Sequence, residues 1–252
     1  MPVTRTLDSA IGRLTLDRPP LNILTRELLA QLRAELAAAA ATPGLRVLLL
    51  SAVGPHFSAG ADVREHLPPE HAALIPEFLE TVAALDAFPL PVIAAVQGRC
   101  LGGGFELVQA ADIVLAGAGA LFGQPEIKLG VIPPAACALL PARVGRGVAA
   151  DLVYGGDPVT AVEAARVGLV HCVVPDDQLA AAALALATRI ARHSAATLRL
   201  AKQALRGGET AARAAALRGQ GELYLHGVMT TEDALEGLLA FVEKRAPAWA
   251  DR

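Results

Sequence analysis

The pattern of apolar and polar positions changes along the chain, and its first part predicts alternating strands and helices. Ile11–Leu16 alternates apolar and polar residues, which is typical of a half-exposed strand. Thr25 then precedes a stretch with apolar residues at helical spacing, which Pro43 and Gly44 end. Short runs that are almost wholly apolar predict buried strands at 47–51, 91–97 and 113–116. A further helix is predicted over 74–87.

Beyond residue 140 the helical spacing dominates. Thr160 and Glu163 have the spacing of a capping box, and the helix that they open ends at Gly168. A short strand at 170–174 is followed by predicted helices up to residue 192, at 194–206, at 209–228 and at 232–245. Strands alternating with helices and then helices alone are typical of an α/β core with a helical C-terminal part. We therefore expect a core over residues 1–192 and a helical region over residues 193–252.

Composition narrows the class of protein. Hydrophobic residues make up 54% of the 252 residues and aromatic residues only 4%, so the core must consist mainly of aliphatic side chains. The net charge of −3, with lysine only at Lys128, Lys202 and Lys244, argues against a nucleic-acid-binding surface. Three cysteines without CxxC spacing argue against a disulfide framework or a zinc site. The opening residues contain no apolar run of signal-peptide length, and no later run reaches the length of a membrane span, so we expect a cytoplasmic protein without a membrane partner.

A glycine run holds the first candidate site. Gly102, Gly103 and Gly104 connect a buried strand to a helix, and glycine lets the backbone approach another group closely. Free N–H groups at such a turn, together with the positive end of the helix dipole, favour an oxygen that carries negative charge. Glu106 follows three residues after the middle glycine and brings a carboxylate to the same turn.

Two other loops of small residues, at 57–62 and 122–126, also follow predicted strands. Since ligands of α/β proteins bind at the carboxyl ends of strands, we expect the three loops to converge on one pocket. That pocket would hold Glu106 and Glu126 in otherwise uncharged surroundings. Taken singly, each glutamate could instead serve a helix start or a salt bridge. As a buried pair they favour general acid–base chemistry, because burial and mutual repulsion push their pKa values apart.

Three segments resemble the signature motifs of the crotonase superfamily, the enoyl-CoA hydratase/isomerase family: FSAGADV at 57–63, QGRCLGGGFE at 97–106 and FGQPEI at 122–127. The likeness covers nearly the whole chain, through GGDP at 155–158 to FVEKR at 241–245. It implies the α/β fold that this superfamily shares with ClpP, a superhelix of repeated ββα units followed by a C-terminal helical region that forms trimers. It also implies a CoA thioester as substrate, with no metal and no separate cofactor.

The resemblance implies a role for each matching position. Ala61 and Gly103 match the residues whose backbone N–H groups bind the thioester oxygen in an oxyanion hole. Glu106 matches the base that deprotonates the attacking water, and Glu126 matches the acid that gives a proton to Cα of an enoyl-CoA. The positions that match contacts to CoA are Ala59, Gly60, Asp62, Val63, Arg64, Phe241 and Lys244.

One segment departs from the family pattern. After Glu126, hydratases typically have a glycine-rich stretch that ends in a Thr-Gln or Ser-Gln pair, whereas this chain reads VIPPAACALLP at 131–141. Prolines and small apolar residues therefore border the acyl side of the pocket. The departure is similar to the branch of the superfamily that hydrates cyclic dienoyl-CoA thioesters in aromatic-ring degradation. We expect an acyl pocket that is not shaped for a short straight chain.

Two alternatives to a hydratase remain open on the sequence. The superfamily also contains Δ-isomerases, which usually need one principal base, and non-catalytic relatives that bind CoA or RNA. Both glutamates and the acidic net charge disfavour the non-catalytic alternative. The resemblance further implies a homotrimer or a homohexamer, with the C-terminal helices at the interfaces.

Overall fold

The structure, a computed structural model, describes residues 2–252. In this part of the chain the strands are β1 (Val3–Asp8), β2 (Ile11–Leu16), β3 (Val47–Ala52), β4 (Val92–Val96), β5 (Arg99–Leu101), β6 (Ile113–Gly117), β7 (Leu121–Gly123), β8 (Val159–Thr160) and β9 (Cys172–Val174). A large sheet has the order β1-β2-β3-β4-β6-β9, and a small sheet has the order β5-β7-β8. In the large sheet β1 is antiparallel to β2, and every other pair of neighbours is parallel.

The helices surround both sheets. They are α1 (Arg26–Ala40), α2 (His71–Asp86), α3 (Gly103–Ala110), α4 (Pro134–Val144), α5 (Arg146–Gly155), α6 (Ala161–Arg166), α7 (Leu179–Ala191), α8 (Ala195–Arg206), α9 (Glu209–His226) and α10 (Glu232–Glu243). Short 3₁₀ helices lie at Val63–His66, Pro125–Leu129, Asp176–Gln178 and Val228–Thr230. In chain order, β4-β5-α3 and β6-β7-α4 repeat one unit, in which a large-sheet strand leads to a small-sheet strand and then to a helix. This is the predicted ββα repeat.

Both faces of the inner strands of the large sheet are buried, which explains why these strands appear in the sequence as continuous apolar runs. On β3, Leu48 and Leu50 point into the main core, which α1, α2 and α3 cover. Val47 and Leu49 point to the opposite face, where they pack against α7. The alternation of side chains along a strand therefore divides the aliphatic residues between two cores.

The structure agrees with the longer predicted elements and differs at the short ones. Strand β2 has the predicted bounds, and Thr25 caps α1, since its Oγ1 accepts a hydrogen bond from Leu28 N at 3.3 Å. The sequence pattern did not predict β1, of which only Val3 is buried. It also missed the small sheet, because strands of two or three residues are too short to show a period.

Helix α3 begins at Gly103, inside the glycine run that the sequence predicted to precede the helix. The second and third glycines of the run are thus the first turn of a helix, and not only a loop before it. Helical propensity argues against glycine in a helix, so the run must be stabilised by tertiary contacts.

The C-terminal helices close over the core. Helix α9 packs on α2 and α4, and α10 packs on the two short helices Val63–His66 and Pro125–Leu129. Asp112 attaches α8 to the core, because its carboxylate accepts hydrogen bonds from Val92 N at 2.8 Å, Lys202 Nζ at 2.6 Å and Arg206 Nη2 at 3.0 Å. No helix within residues 2–252 combines the length and the apolar character needed to cross a membrane.

Candidate active site

Backbone hydrogen bonds bring the three loops of small residues together. Leu101 N donates to Ser58 O at 3.0 Å, and Gly102 N donates to Gly123 O at 2.9 Å. Ser58 and Cys100 also form a parallel bridge. The loops at 57–62, 101–106 and 122–126 therefore meet beside the small sheet, as the sequence predicted.

Two buried polar side chains fix the first of these loops. Asn22 Nδ2 donates to Val53 O at 2.9 Å and to His56 O at 2.8 Å. Ser58 Oγ donates to Asn22 O at 2.8 Å and accepts a hydrogen bond from Gly60 N at 3.2 Å. The loop is thus held by groups that have no exposure to solvent, since Asn22 and Ser58 are both 0% exposed.

Close contacts leave no room for a side chain at Gly102 or at Gly104. Gly102 has φ +52° and ψ −130°, a conformation that side chains disfavour, and a Cβ atom there would lie 2.7 Å from Glu126 Oε1. A Cβ atom on Gly104 would lie 2.6 Å from Ser58 Cβ and 2.9 Å from Ser58 O. The glycine run therefore lets α3 press directly against the other two loops.

Two backbone amides face a common space. Neither Ala61 N nor Gly103 N has a hydrogen-bond partner within residues 2–252. A Cβ atom on Gly103 would lie 3.4 Å from Ala61 N and 3.1 Å from Phe78 Cε2, so both amides border the same small volume. Gly103 is the first residue of α3, where the N–H has no intrahelical acceptor and the helix dipole favours negative charge. Paired amides of this kind can stabilise an oxygen on which negative charge develops.

Glu106 is a buried carboxylate with one oxygen fixed. It is 3% exposed, and its Oε1 accepts hydrogen bonds from Ala135 N at 2.7 Å and Ala136 N at 3.0 Å. Both donors belong to the first turn of α4. Burial raises the pKa of Glu106 to about 7, against the two N–H bonds, which act to lower it.

Glu126 lies at the first turn of the short helix Pro125–Leu129 and is half-buried. When the Gln124 amide is oriented to satisfy its neighbours, its nitrogen donates to Glu126 Oε2 at 3.1 Å and Oε1 at 3.3 Å, and its oxygen accepts from Gln109 Nε2 at 2.8 Å. Burial and then the charge of Glu106 raise the pKa of Glu126 well above its ordinary value. The carboxyl is thus positioned by a chain of two fully buried amides.

The surroundings of the two glutamates separate their protonation states. Ala135 N–H and Ala136 N–H stabilise the charged form of Glu106, whereas the charge of Glu106 opposes ionisation of Glu126. Near neutral pH this favours an ionised Glu106 beside a protonated Glu126. One acceptor and one donor of protons therefore lie in the same pocket.

The predicted CoA-contacting residues lie in two neighbouring groups. Ala59 and Gly60 use their own N–H groups within the protein, on Leu21 O at 2.8 Å and Ser58 Oγ at 3.2 Å. Asp62 caps the short helix Val63–His66, since its Oδ1 accepts from Arg64 N at 2.9 Å.

Val63 is partly buried against the core, and Arg64 is exposed. Phe241, which is 56% exposed, lies on α10, and Lys244 follows at the end of that helix. Because α10 packs on Val63–His66, the structure brings the two groups to one side of the molecule.

The sequence did not predict the aromatic and sulfur groups of the pocket. Phe78 on α2 borders Gly103, and the charges of Glu106 and Glu126 contribute to the raised pKa values of Cys137 and Tyr224, after burial as the largest cause. No motif marked Phe78 or Tyr224, and Cys137 was not singled out within the segment 131–141. Within residues 2–252 no group of three His, Cys, Asp or Glu side chains has the arrangement of a metal site.

Comparison with known proteins matches this chain to one family. The family model described as enoyl-CoA hydratase/isomerase matches residues 6–252. The chain is 41% identical over 245 residues to cyclohexa-1,5-dienecarbonyl-CoA hydratase of Thauera aromatica, covering 97% of this chain and 95% of that protein. It is also 41% identical over 242 residues to 2,3-dehydroadipyl-CoA hydratase of Escherichia coli, covering 95% and 94%.

Solved structures give the same result. A crystal structure of an enoyl-CoA hydratase/isomerase from Pseudoalteromonas atlantica is similar with a TM-score of 0.91 at 32% identity, over 99% of this chain and 100% of that chain. An enoyl-CoA hydratase from Mycobacterium avium subsp. paratuberculosis is similar with a TM-score of 0.87 at 30% identity, over 100% and 99%.

Proposed function

The chain belongs to the enoyl-CoA hydratase/isomerase family, and on that premise we propose that it hydrates an enoyl-CoA thioester with Glu106 as base and Glu126 as acid. The observation that carries these roles is the opposite stabilisation of the two carboxyls. Two N–H bonds support the charged form of Glu106, while the neighbouring charge supports the protonated form of Glu126.

The proposed reaction moves two protons. Glu106 takes a proton from water as the water oxygen bonds to Cβ, and the electrons of the double bond move toward the thioester carbonyl. Ala61 N–H and Gly103 N–H stabilise the resulting enolate oxygen, which is typically worth about 10²–10³ in rate for each donor. Glu126 then gives its proton to Cα, and each proton transfer contributes roughly 10²–10⁴.

We propose a cyclic dienoyl-CoA as the acyl group. The surroundings of the site support this substrate, because the flat ring of Phe78 borders Gly103, and Ala135 and Ala136, which bind Glu106, have small side chains. A dicarboxylic substrate would favour a cation near the site. Within residues 2–252, no Lys or Arg contributes to the shifted pKa of Glu106, Glu126 or Tyr224.

The CoA part of the substrate is proposed to extend along the surface formed by the loop at 59–64 and by α10. Arg64 and Lys244 are proposed to lie near its phosphates, and Phe241 near its base. Enzymes of this family act on CoA thioesters, so we propose no cofactor apart from the CoA that the substrate brings.

Isosteric variants test the two roles. Glu106→Gln and Glu126→Gln should each lower kcat for hydration by about 10² or more, because each removes one proton transfer, while substrate binding remains. Glu163→Gln is the matched control, since Glu163 pairs only with Arg166 at an exposed site and its loss should not change kcat. Full turnover in the Glu126→Gln protein would contradict the proposed roles.

Labelled water distinguishes a hydratase from a Δ-isomerase. A hydratase incorporates ¹⁸O from water into its product, whereas an isomerase moves the double bond without adding oxygen. We expect one labelled oxygen for each product molecule.

A panel of enoyl-CoA thioesters tests the acyl group. The loss of enoyl absorbance should be faster with a cyclic dienoyl-CoA than with crotonyl-CoA or 2,3-dehydroadipyl-CoA. If crotonyl-CoA matched or exceeded the cyclic substrate in kcat/KM, the proposed acyl group would be wrong.

We also propose that residues 193–252 form a helical region that assembles the core, residues 1–192, into homotrimers or homohexamers. Leu200 and Leu205 on α8 support this, since they are 65% and 90% exposed. Light scattering should give three or six times the chain mass of 25.9 kDa. A monomeric mass at micromolar concentration would contradict it.

A further inference from the structure

Tyr224 carries a buried hydroxyl group that nothing in the described chain satisfies. The residue lies on α9 and is 1% exposed, and its Oη has no hydrogen-bond partner within residues 2–252. A buried hydroxyl is ordinarily paired, because burial removes its bonds to water. An unpaired hydroxyl beside a binding site indicates that the ligand supplies its hydrogen-bond partner.

The helix that carries Tyr224 packs on the two helices that border the candidate site. Helix α9 packs on α4, whose first turn donates hydrogen bonds to the Glu106 carboxylate, and on α2, which carries Phe78. The Tyr224 ring lies 6.2 Å from the ring of His66, between centroids. Burial is the main cause of the raised pKa of Tyr224, and the charges of Glu126 and Glu106 add to it, so the hydroxyl keeps its proton at neutral pH.

The backbone donors at the start of α4 are already in use. Pro134, the first residue of α4, has no N–H group. The next two amides, of Ala135 and Ala136, both donate to Glu106, and Cys137 N donates to Pro133 O at 3.0 Å. The start of α4 therefore offers no donor to a substrate oxygen.

The unpaired amides of Ala61 and Gly103 are assigned to the thioester oxygen in the proposed reaction. Hydration places a second oxygen in the pocket, at Cβ. That oxygen has lone pairs to accept a hydrogen bond both as the attacking water and as the β-hydroxyl of the product.

We propose that Tyr224 Oη donates a hydrogen bond to the oxygen that is added at Cβ. Tyr224 keeps its proton throughout and orients this oxygen, while Glu106 removes a proton from it. The proposal rests on the hydratase reaction described above and adds a third side chain to it.

Two ligands that differ by one oxygen test the proposal. Binding of a 3-hydroxyacyl-CoA and of the saturated acyl-CoA with the same carbon skeleton is measured with Tyr224 and with Tyr224→Phe, both in the Glu126→Gln protein, in which turnover is slowed. The Tyr224→Phe change should weaken the hydroxyacyl-CoA about tenfold and change the Kd of the saturated acyl-CoA less than twofold. Tyr154→Phe is the control, because Tyr154 is 76% exposed and should affect neither ligand.

Either of two other results would contradict the proposal. Equal weakening of both ligands would mean that Tyr224 only shapes the pocket, and no change in either Kd would mean that the bond does not form. Tyr224→Phe removes an unsatisfied hydroxyl, so the melting temperature of the variant should not fall. An unchanged melting temperature would show that weaker binding does not result from misfolding. Failure of the acid–base roles would appear separately, as full turnover in the Glu126→Gln protein with Tyr224 intact.

Discussion

Gly102→Ala tests whether the position of Glu126 depends on a missing side chain in the glycine run. The added Cβ atom would lie 2.7 Å from Glu126 Oε1, whereas ordinary contact begins at 3.4 Å. The carboxylate must therefore move by about 0.7 Å, unless the backbone of α3 moves instead. Either movement changes the distance between the acid and the amide of Gly103.

The Gly102→Ala change should affect both the rate of hydration and the stability of the protein. A misplacement of about 1 Å at a reacting group can cost about 10² in rate, so kcat should fall roughly 10- to 100-fold. The φ of +52° at Gly102 adds backbone strain, which should lower the free energy of unfolding by about 1–3 kcal/mol.

Steady-state hydration kinetics and urea unfolding measure these two effects separately. Gly147→Ala is the matched control, since a Cβ atom there meets nothing within 4 Å and Gly147 lies inside α5. The control should retain kcat and should not lose stability. A folded Gly102→Ala protein with kcat within twofold of the unchanged protein would refute the reasoning.

Two further predictions follow from the charged groups. Burial raises the pKa of Glu106 to about 7, and the proposed base must be ionised, so kcat/KM should fall about fivefold between pH 7 and pH 6. It should fall again at higher pH as Glu126 ionises. A flat profile from pH 5.5 to 8 would contradict this assignment. Asp112→Asn should lower the free energy of unfolding by about 3 kcal/mol, measured in urea, because the charge of Lys202, 7% exposed, loses its partner. Asp157→Asn, which breaks an exposed ion pair, is the control and should leave stability unchanged, whereas equal effects of the two changes would contradict the role of burial.

Three short motifs were sufficient to predict the family, the α/β fold and the enoyl-CoA hydratase class, all of which the comparisons confirm. The elements that the pattern located well, such as β2 and α1, are long enough to show a period or carry a cap such as Thr25. The catalytic roles of Glu106 and Glu126 and the contacts to CoA stay predictions.

Other parts of the site could not be predicted, because they depend on contacts between distant segments. Tyr224 is 118 residues from Glu106 along the chain and reaches the pocket only because α9 packs on α4. Gln109 and Gln124 appear as ordinary polar residues in the sequence, although both are fully buried. The start of α3 was placed too late because glycine disfavours helices unless packing requires it, as Ser58 does at Gly104.

Helix α3 carries both the proposed oxyanion amide, at Gly103, and the proposed base, at Glu106, three residues apart. Three residues of an α-helix advance by about 4.5 Å. On the proposed roles, this rigid turn fixes the distance between the Gly103 amide and Glu106, and therefore the site of water attack relative to the thioester oxygen. On these roles the turn would select the double bond next to the thioester for an acyl group of any length or ring size. One helical turn would then set the regiochemistry, and the separate elements α2, α4 and α9 would set the acyl selectivity.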